Sequence, residues 1–186
     1  MSKRFTMSTT RTIPYRRRRE DKTNYKKRLK FLLANKPRLV IRRSLKNMIL
    51  QVVEYDAKGD KIIASAHTHE LKKYNWDYNG GNIPSAYLTG LLIGKKATAK
   101  KYKDVIVDFG LQNPIKGTRL YAAIKGAIDS GLQIVQGENI FPKNDRVKGE
   151  HIANNPLLKN PKVKEITRAF EQCKEKILNE SNKVDG

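Results

Sequence analysis

Four short constellations in this 186-residue chain have the residue types that chemistry uses. Gly90-Leu91-Leu92-Ile93-Gly94-Lys95-Lys96 has the glycines and lysine of a phosphate-cradling loop. A working loop needs four residues between the glycines and a hydroxyl after the lysine to reach Mg²⁺; here there are three, and Lys96 stands in the hydroxyl's place. Asp108-Phe109-Gly110 has the form of a kinase metal-binding triplet, but the chain has neither a Gly-rich phosphate-covering loop nor a His-Arg-Asp catalytic loop, so the triplet reads as a strand end. His67-Thr68-His69 could set two imidazoles on one side of a strand; with only Glu70 or the distant His151 as a third ligand, an ordinary strand end is expected and no metal. Cys173 is the sole cysteine, which rules out an intramolecular disulfide and a Cys-based zinc site and suits a reducing compartment.

The remaining chemistry is charge. Lys and Arg number 39 against 18 Asp and Glu, a formal net charge of +21. Residues 1–46 hold 17 of the cations and only Glu20 and Asp21 as acids, a net of +15, whereas the other 140 residues net +6. Such a concentration predicts a polyanionic partner and steep salt dependence, because each neutralised phosphate releases condensed counterions. Tyr15 and Tyr25 stand among Arg16, Arg17, Arg18, Arg19, Lys22, Lys26, Lys27, Arg28 and Lys30. Rings and guanidinium planes stack on splayed-out bases, so folded RNA fits better than a lipid surface, which would use the charges alone. No apolar run reaches signal-peptide or membrane-span length, so a soluble, unsecreted protein without a membrane or small-molecule partner is expected.

Several elements must position these cations. After Glu20 and Asp21 as a start signal, Tyr25, Leu29, Leu32 and Leu33 recur at helical spacing, predicting an amphipathic helix that ends near Asn35 and Pro37 and anchors the arm. Residues before about Ile13 read as disordered until a partner orders them. Residues 38–43, 47–55 and 61–67 read as strands of an antiparallel meander, with turns at Leu45-Lys46-Asn47 and Asp56-Ala57-Lys58-Gly59-Asp60. A loop over 74–82 precedes a long helix over 84–102, in which Gly90 and Gly94 are expected to let the helix approach a sheet closely. A short buried strand over 104–109 crosses over in parallel, and a second helix over 118–130 closes at Gly131.

The C-terminal part divides in two. Pro, Asn and Lys dominate from Pro142 to Pro161, and a helix follows over 161–180. Val163, Ile166, Phe170, Cys173 and Ile177 form its single apolar stripe, which must dock on the body or on a neighbouring protein and which makes Cys173 a packed thiol. The expected divisions are an arm with a short helix (1–36), an α/β core (37–137), a loop extension (138–160) and a C-terminal helix with tail (161–186).

Three antiparallel strands, helix, strand and helix is also the arrangement of the ribonuclease-H-like fold, which raises a metal-dependent nuclease. That chemistry needs carboxylates clustered across the first strand, the first helix and the fourth strand. The first strand offers Arg42 and Arg43 instead, the long helix has no acid, and Asp108 alone cannot build a two-metal site.

Two blocks then carry a resemblance. Arg16-Arg17-Arg18-Arg19-Glu20-Asp21-Lys22-Thr23-Asn24-Tyr25-Lys26-Lys27-Arg28-Leu29 and Lys36-Pro37-Arg38-Leu39-Val40-Ile41-Arg42-Arg43-Ser44 closely resemble the opening of the archaeal and eukaryotic branch of large-subunit ribosomal protein eighteen, the 5S-rRNA-binding family. Gly81-Asn82-Ile83-Pro84-Ser85-Ala86-Tyr87-Leu88-Thr89-Gly90-Leu91-Leu92, Asp108-Phe109-Gly110-Leu111, and Phe141-Pro142 with Arg146 and Gly149-Glu150-His151-Ile152 follow in the same order, so the match covers about residues 11–152.

The resemblance implies a non-enzymatic structural protein of the cytoplasmic ribosome, of archaeal type by its length, without cofactor. It would bind 5S rRNA and help fasten it to 23S rRNA among neighbouring proteins of the central protuberance. Its implied fold is a ribonuclease-H-like mixed sheet: a three-stranded antiparallel meander plus crossover strands, packed with helices, a basic N-terminal arm and a helical C-terminal extension. The RNA-contacting residues would be Arg11, Tyr15, Arg16 to Arg19, Lys22, Tyr25, Lys26, Lys27, Arg28, Arg42, Arg43 and Ser44. Cations would neutralise phosphates, Tyr25 would stack and Ser44 would offer its hydroxyl. Gln133-Ile134-Val135-Gln136-Gly137 departs from the family, which has a Pro-His pair before the Phe-Pro block. The competing readings are the nuclease and a general basic RNA chaperone.

Overall fold

A computed structural model describes residues 13–137, 139–158 and 161–180. In chain order its elements are α1 (Arg16–Arg19), α2 (Tyr25–Leu33), β1 (Arg38–Arg43), β2 (Met48–Glu54), β3 (Lys61–His67), a 3₁₀ segment (Thr68–Tyr74), α3 (Ile83–Ala99), β4 (Ile106–Asp108) and α4 (Arg119–Asp129). Two short helices follow, α5 (Asn144–Lys148) and α6 (Glu150–Ala153), then a 3₁₀ turn (Pro161–Glu165) that leads into α7 (Ile166–Glu180). Arg11 and the segment before Ile13 lie outside the described residues.

The sheet is four-stranded and mixed, in the order β3-β2-β1-β4, with the meander antiparallel and β4 parallel to β1. The strand runs and both turns fall where the sequence places them. Gly59 takes a positive φ of 148° in the β2–β3 hairpin, and the Ser44 amide donates to Asn47 O at 2.8 Å in the β1–β2 turn. Strand periodicity sends Leu39, Ile41, Leu50, Val52, Ala64 and Ala66 to one face, where all are buried. Arg38, Val40, Arg42, Ile49, Gln51 and Val53 share the other face. β4 is shorter than expected and half-buried, and beyond it Asp104 and Gln133 form only an isolated parallel bridge.

Helix α3 is apolar nearly all round and buried accordingly, lying against β2 and β3. Asn82 caps it by accepting from the Ser85 amide at 2.8 Å, and Pro84 sits in its first turn. Its buried polar groups are satisfied: Trp76 Nε1 donates to Ser85 Oγ at 2.8 Å, which in turn donates to Asn79 O at 2.6 Å. The far end of α3 guards the edge strand, where unpaired carbonyls would otherwise template another chain. Lys96 and Lys100 donate to the Ser65 and Ile63 carbonyls at 2.9 and 2.6 Å.

The glycines of α3 serve a different contact from the one the sequence suggests. A Cβ at Gly90 would strike the Ala123 carbonyl and one at Gly94 would strike Ser130 Oγ, both on or just past α4. Reciprocally, a Cβ at Gly126 of α4 would strike the Tyr87 carbonyl. The close approach is thus helix to helix, because only backbone against backbone needs the Cβ removed on both sides. Gly90→Ala is expected to lower unfolding free energy by about 1–3 kcal/mol, the overpacking term outweighing the roughly 1 kcal/mol gain in helix propensity. Thermal unfolding checks this against Gly137→Ala, where the new methyl meets nothing nearer than Ile140 Cγ2 at 3.9 Å and stability should stay within about 0.5 kcal/mol.

The segment rich in Pro, Asn and Lys folds into α5 and α6, hinged at Gly149 with φ 89°. Helix α7 buries Ile166, Phe170, Cys173 and Ile177 against α3 and α5, with the Phe170 and Tyr87 ring centroids 5.5 Å apart. The stripe therefore docks on the chain's own body. Cys173 packs within it, and burial pushes its thiol up to about 12.

β3 ends at His67, as expected, and His67 is at once the cap of the 3₁₀ segment that follows. His67 Nδ1 accepts from the His69 amide and Glu70 Oε1 from the His67 amide, each at 2.9 Å, a reciprocal cap.

Candidate nucleic-acid interface

Arginine is a good helix former, and four in a row make α1 a single turn with no buried residue. The turn stops at Asp21, whose φ of 47° is left-handed. Glu20 and Asp21 therefore end one helix instead of starting the next. The cap of α2 is Asn24, whose Oδ1 accepts from the Lys27 amide at 3.0 Å. Glu20 is drawn to Arg16 and Lys22, both at 2.8 Å. The Lys22 ammonium and the Arg16 guanidinium together hold its carboxyl below the usual carboxylate range. Arg17 Nε donates to Thr23 Oγ1 at 2.8 Å. Arg18, Arg19 and Lys26 are exposed and make no side-chain hydrogen bond or ion pair among the described residues. Tyr15 is exposed, and its ring leans on that of Tyr25, 5.3 Å between centroids at 48°.

The arm is anchored, but not by the leucine stripe. Leu29 and Leu33 are 59% and 75% exposed, and the inward face of α2 carries Lys27, Arg28 and Phe31. Asp60, at the start of β3, accepts from Arg28 Nη2 at 2.9 and 3.0 Å and from Arg38 Nη2 at 2.7 Å. The Arg38 side chain, only 4% exposed, also donates to Asp108 at 3.2 Å. Lys27 Nζ donates to Gly110 O at 3.2 Å. The spacing of the leucines predicts a buried stripe, whereas distant carboxylates pull the neighbouring face inward.

Between α2 and the second face of the sheet opens a cleft of about 600 Å³. Its walls include Arg17, Lys27, Phe31, Arg42, Gln51 and Ile62, so cationic, aromatic and amide groups face one space. A smaller hollow of about 400 Å³ lies under Arg18, Tyr25, Lys26 and Leu111. Phe31, Gln51 and Ile62 escape a search for charge; the period-two alternation of β2 and the inward face of α2 are the signals that mark them.

At the strand end Arg42 and Arg43 are exposed. Ser44 Oγ is already engaged, donating to Asn47 O at 3.1 Å and accepting from the Asn47 amide at 3.0 Å. Arg119 was not marked by the sequence, yet its Nη1 donates to Gly81 O at 2.7 Å and Leu45 O at 3.4 Å. Two of the carboxylates that line the cleft are held by arginines, Asp60 and Asp108, with Asp108 Oδ1 also taking the Gly110 amide at 2.8 Å; Asp21 lines it as well. Lys36 holds Asp104. Among the described residues no group of three or more His, Cys, Asp or Glu is placed to hold a metal ion, and no helix is long and apolar enough to cross a membrane.

The family described as ribosomal large subunit proteins 60S L5 and 50S L18 matches residues 10–105 of the chain. The large ribosomal subunit protein uL18 of Thermofilum pendens (strain DSM 2475 / Hrk 5), an archaeon, is 50% identical over 142 residues, which is 76% of this chain and 72% of that relative.

Proposed function

The chain belongs to the family of ribosomal large subunit proteins 60S L5 and 50S L18, and from that premise we propose that it binds 5S rRNA and helps attach it to 23S rRNA and neighbouring proteins in the central protuberance. Membership makes it a protein of the large ribosomal subunit with a structural role. The finer reading rests on one observation: an arm tied to the body by the half-buried Arg28–Asp60 ion pair that turns Arg18, Arg19 and Lys26 outward, without partners among the described residues. Phosphates supply the missing counterions, and Tyr15, Tyr25 and the cleft beside Phe31 offer faces for unstacked bases. Arg16, Arg17 and Lys22 can exchange their exposed partners for phosphate at small loss. Ser44 contributes through the turn it closes.

A structural, non-catalytic role accords with the family, and Asp60 and Asp108, the carboxylates on the sheet face of the cleft, are committed to arginines. The strand order, with the parallel bridge from Asp104 to Gln133 on the outer side of β4, supports a ribonuclease-H-like core used for binding.

The test is a mobility or filter assay with 5S rRNA and an unrelated RNA of equal length over a salt series, using the full chain and one lacking residues 1–22. A steep negative salt slope is expected, with at least about a tenfold preference for 5S rRNA and large losses on deletion. Equal affinity for both RNAs would instead establish a general chaperone. Mg²⁺-dependent cleavage abolished by Asp108→Asn would establish a nuclease.

A further inference from the structure

We infer that Leu45, at the β1–β2 hairpin tip beside Arg42, Arg43 and Ser44, is a preset apolar wedge that packs on a ribose or unstacked base of rRNA. The inference rests on the rRNA-binding reading above and adds a residue and its role to it. Leu45 is 93% exposed. A single exposed leucine ordinarily means nothing, but this one stands on a turn that the rest of the molecule holds with unusual thoroughness.

Within the turn, the Ser44 amide and hydroxyl both bind Asn47 O, and the Asn47 amide returns to Ser44 Oγ. From below, Thr68 Oγ1 donates to Asn47 Oδ1 at 3.1 Å and accepts from the Met48 amide at 3.2 Å. From the side, Arg119 at the start of α4 ties the Leu45 carbonyl to the Gly81 carbonyl. The Gly80-Gly81 backbone runs so close that a Cβ on either residue would come within 3.0 Å of Asn47 Oδ1 or the Leu45 carbonyl. Three separate segments thus fix the backbone of a turn whose Leu45 side chain stands exposed.

That combination suits recognition. Ordering a loop is a main penalty of binding, and a turn already held in place avoids it. Arg42, Arg43 and Lys46 flank Leu45 and are exposed. With no acid between Arg42 and Lys46, the complement is a polyanion, and nucleic acid, the partner already proposed for the arm, also offers an apolar face for a leucine. Side-chain wedges that meet unstacked bases between phosphate-bound cations are a known device of nucleic-acid binding.

Leu45→Ala is expected to raise the Kd for rRNA about tenfold, the loss of roughly one well-packed apolar side chain, with the salt slope unchanged. Leu45→Met should stay near the parent. Lys46→Gln should weaken binding and make the slope shallower by about 1. The assay uses the full chain with 5S and 23S rRNA transcripts separately, and thermal unfolding of each variant should match the parent because the tip is exposed. A Leu45→Ala protein that binds both RNAs within twofold of the parent overturns the wedge. So does a variant that binds both normally yet enters reconstituted subunits poorly, since a protein would then be the partner. A parent chain that binds neither RNA overturns the underlying functional reading, which separates the two failures.

Discussion

Replacing Arg16, Arg17, Arg18 and Arg19 together by glutamine is expected to raise the Kd for 5S rRNA by roughly 10²–10³-fold near physiological salt, and to make the slope of log K against log salt shallower by about 3. The size follows from counterion release: each phosphate neutralised contributes about 0.7–0.9 to the slope, and four cations are removed. The free protein should hardly notice. Helix α1 buries no residue, and Arg16 sits in an ion pair whose guanidinium side is 80% exposed, a kind of contact that contributes little to stability. Four like charges on one turn also repel one another, so their removal, if anything, relaxes the unbound arm. Measuring affinity across salt and melting temperature together decides the matter. Weaker binding with an unchanged slope would mean that these arginines shape the arm and do not meet phosphate.

The second large effect is expected at Asp60. Asp60→Ala removes the carboxylate that Arg28 of α2 and Arg38 of β1 share, leaving the buried Arg38 guanidinium with Asp108 alone at 3.2 Å. Breaking a buried pair from one side costs about 3–5 kcal/mol. Asp60 is 27% exposed and Asp108 remains, so about 2–4 kcal/mol is expected in urea unfolding. Affinity for 5S rRNA should fall as well, although the chain has gained net positive charge, because α2 loses its fixed place. Hydrogen exchange would locate the damage: amides of residues 25–33 should lose protection before those of β1 and β2. Uniform loss across the sheet would contradict the anchoring role.

Arg28→Gln separates two readings of that residue. The resemblance implies a contact with RNA, whereas Arg28 points inward to Asp60. As an anchor, its loss weakens RNA binding without changing the salt slope. As a phosphate ligand, it lowers the slope by about 1.

Much of this molecule is legible from local pattern. The meander follows from alternating β-branched residues and two turns with suitable residues, and α7 from a stripe of Ile166, Phe170, Cys173 and Ile177 that turned out to be buried. Local pattern failed where competition between surfaces decided the outcome. Leu29 and Leu33 have the spacing of a buried face, yet Arg28 and Phe31 turn inward. Gly90 and Gly94 mark a close approach, but not whether a sheet or a second helix makes it. His67 suggests by type a metal ligand and Arg119 suggests nothing, yet they hold a helix cap and a hairpin tip.

The sequence by itself determined where the charge lies, the order of strands and helices and the family, because these depend on residue type and on neighbours a few positions away. Tertiary structure alone decided which cations are spent on the protein and which remain for RNA. Arg28 finds Asp60 across 32 positions, and Arg38 finds Asp60 across 22 and Asp108 across 70. No periodicity spans such distances; they are set when α2 lies down on the sheet and the carboxylates reach the arginines that fall within range.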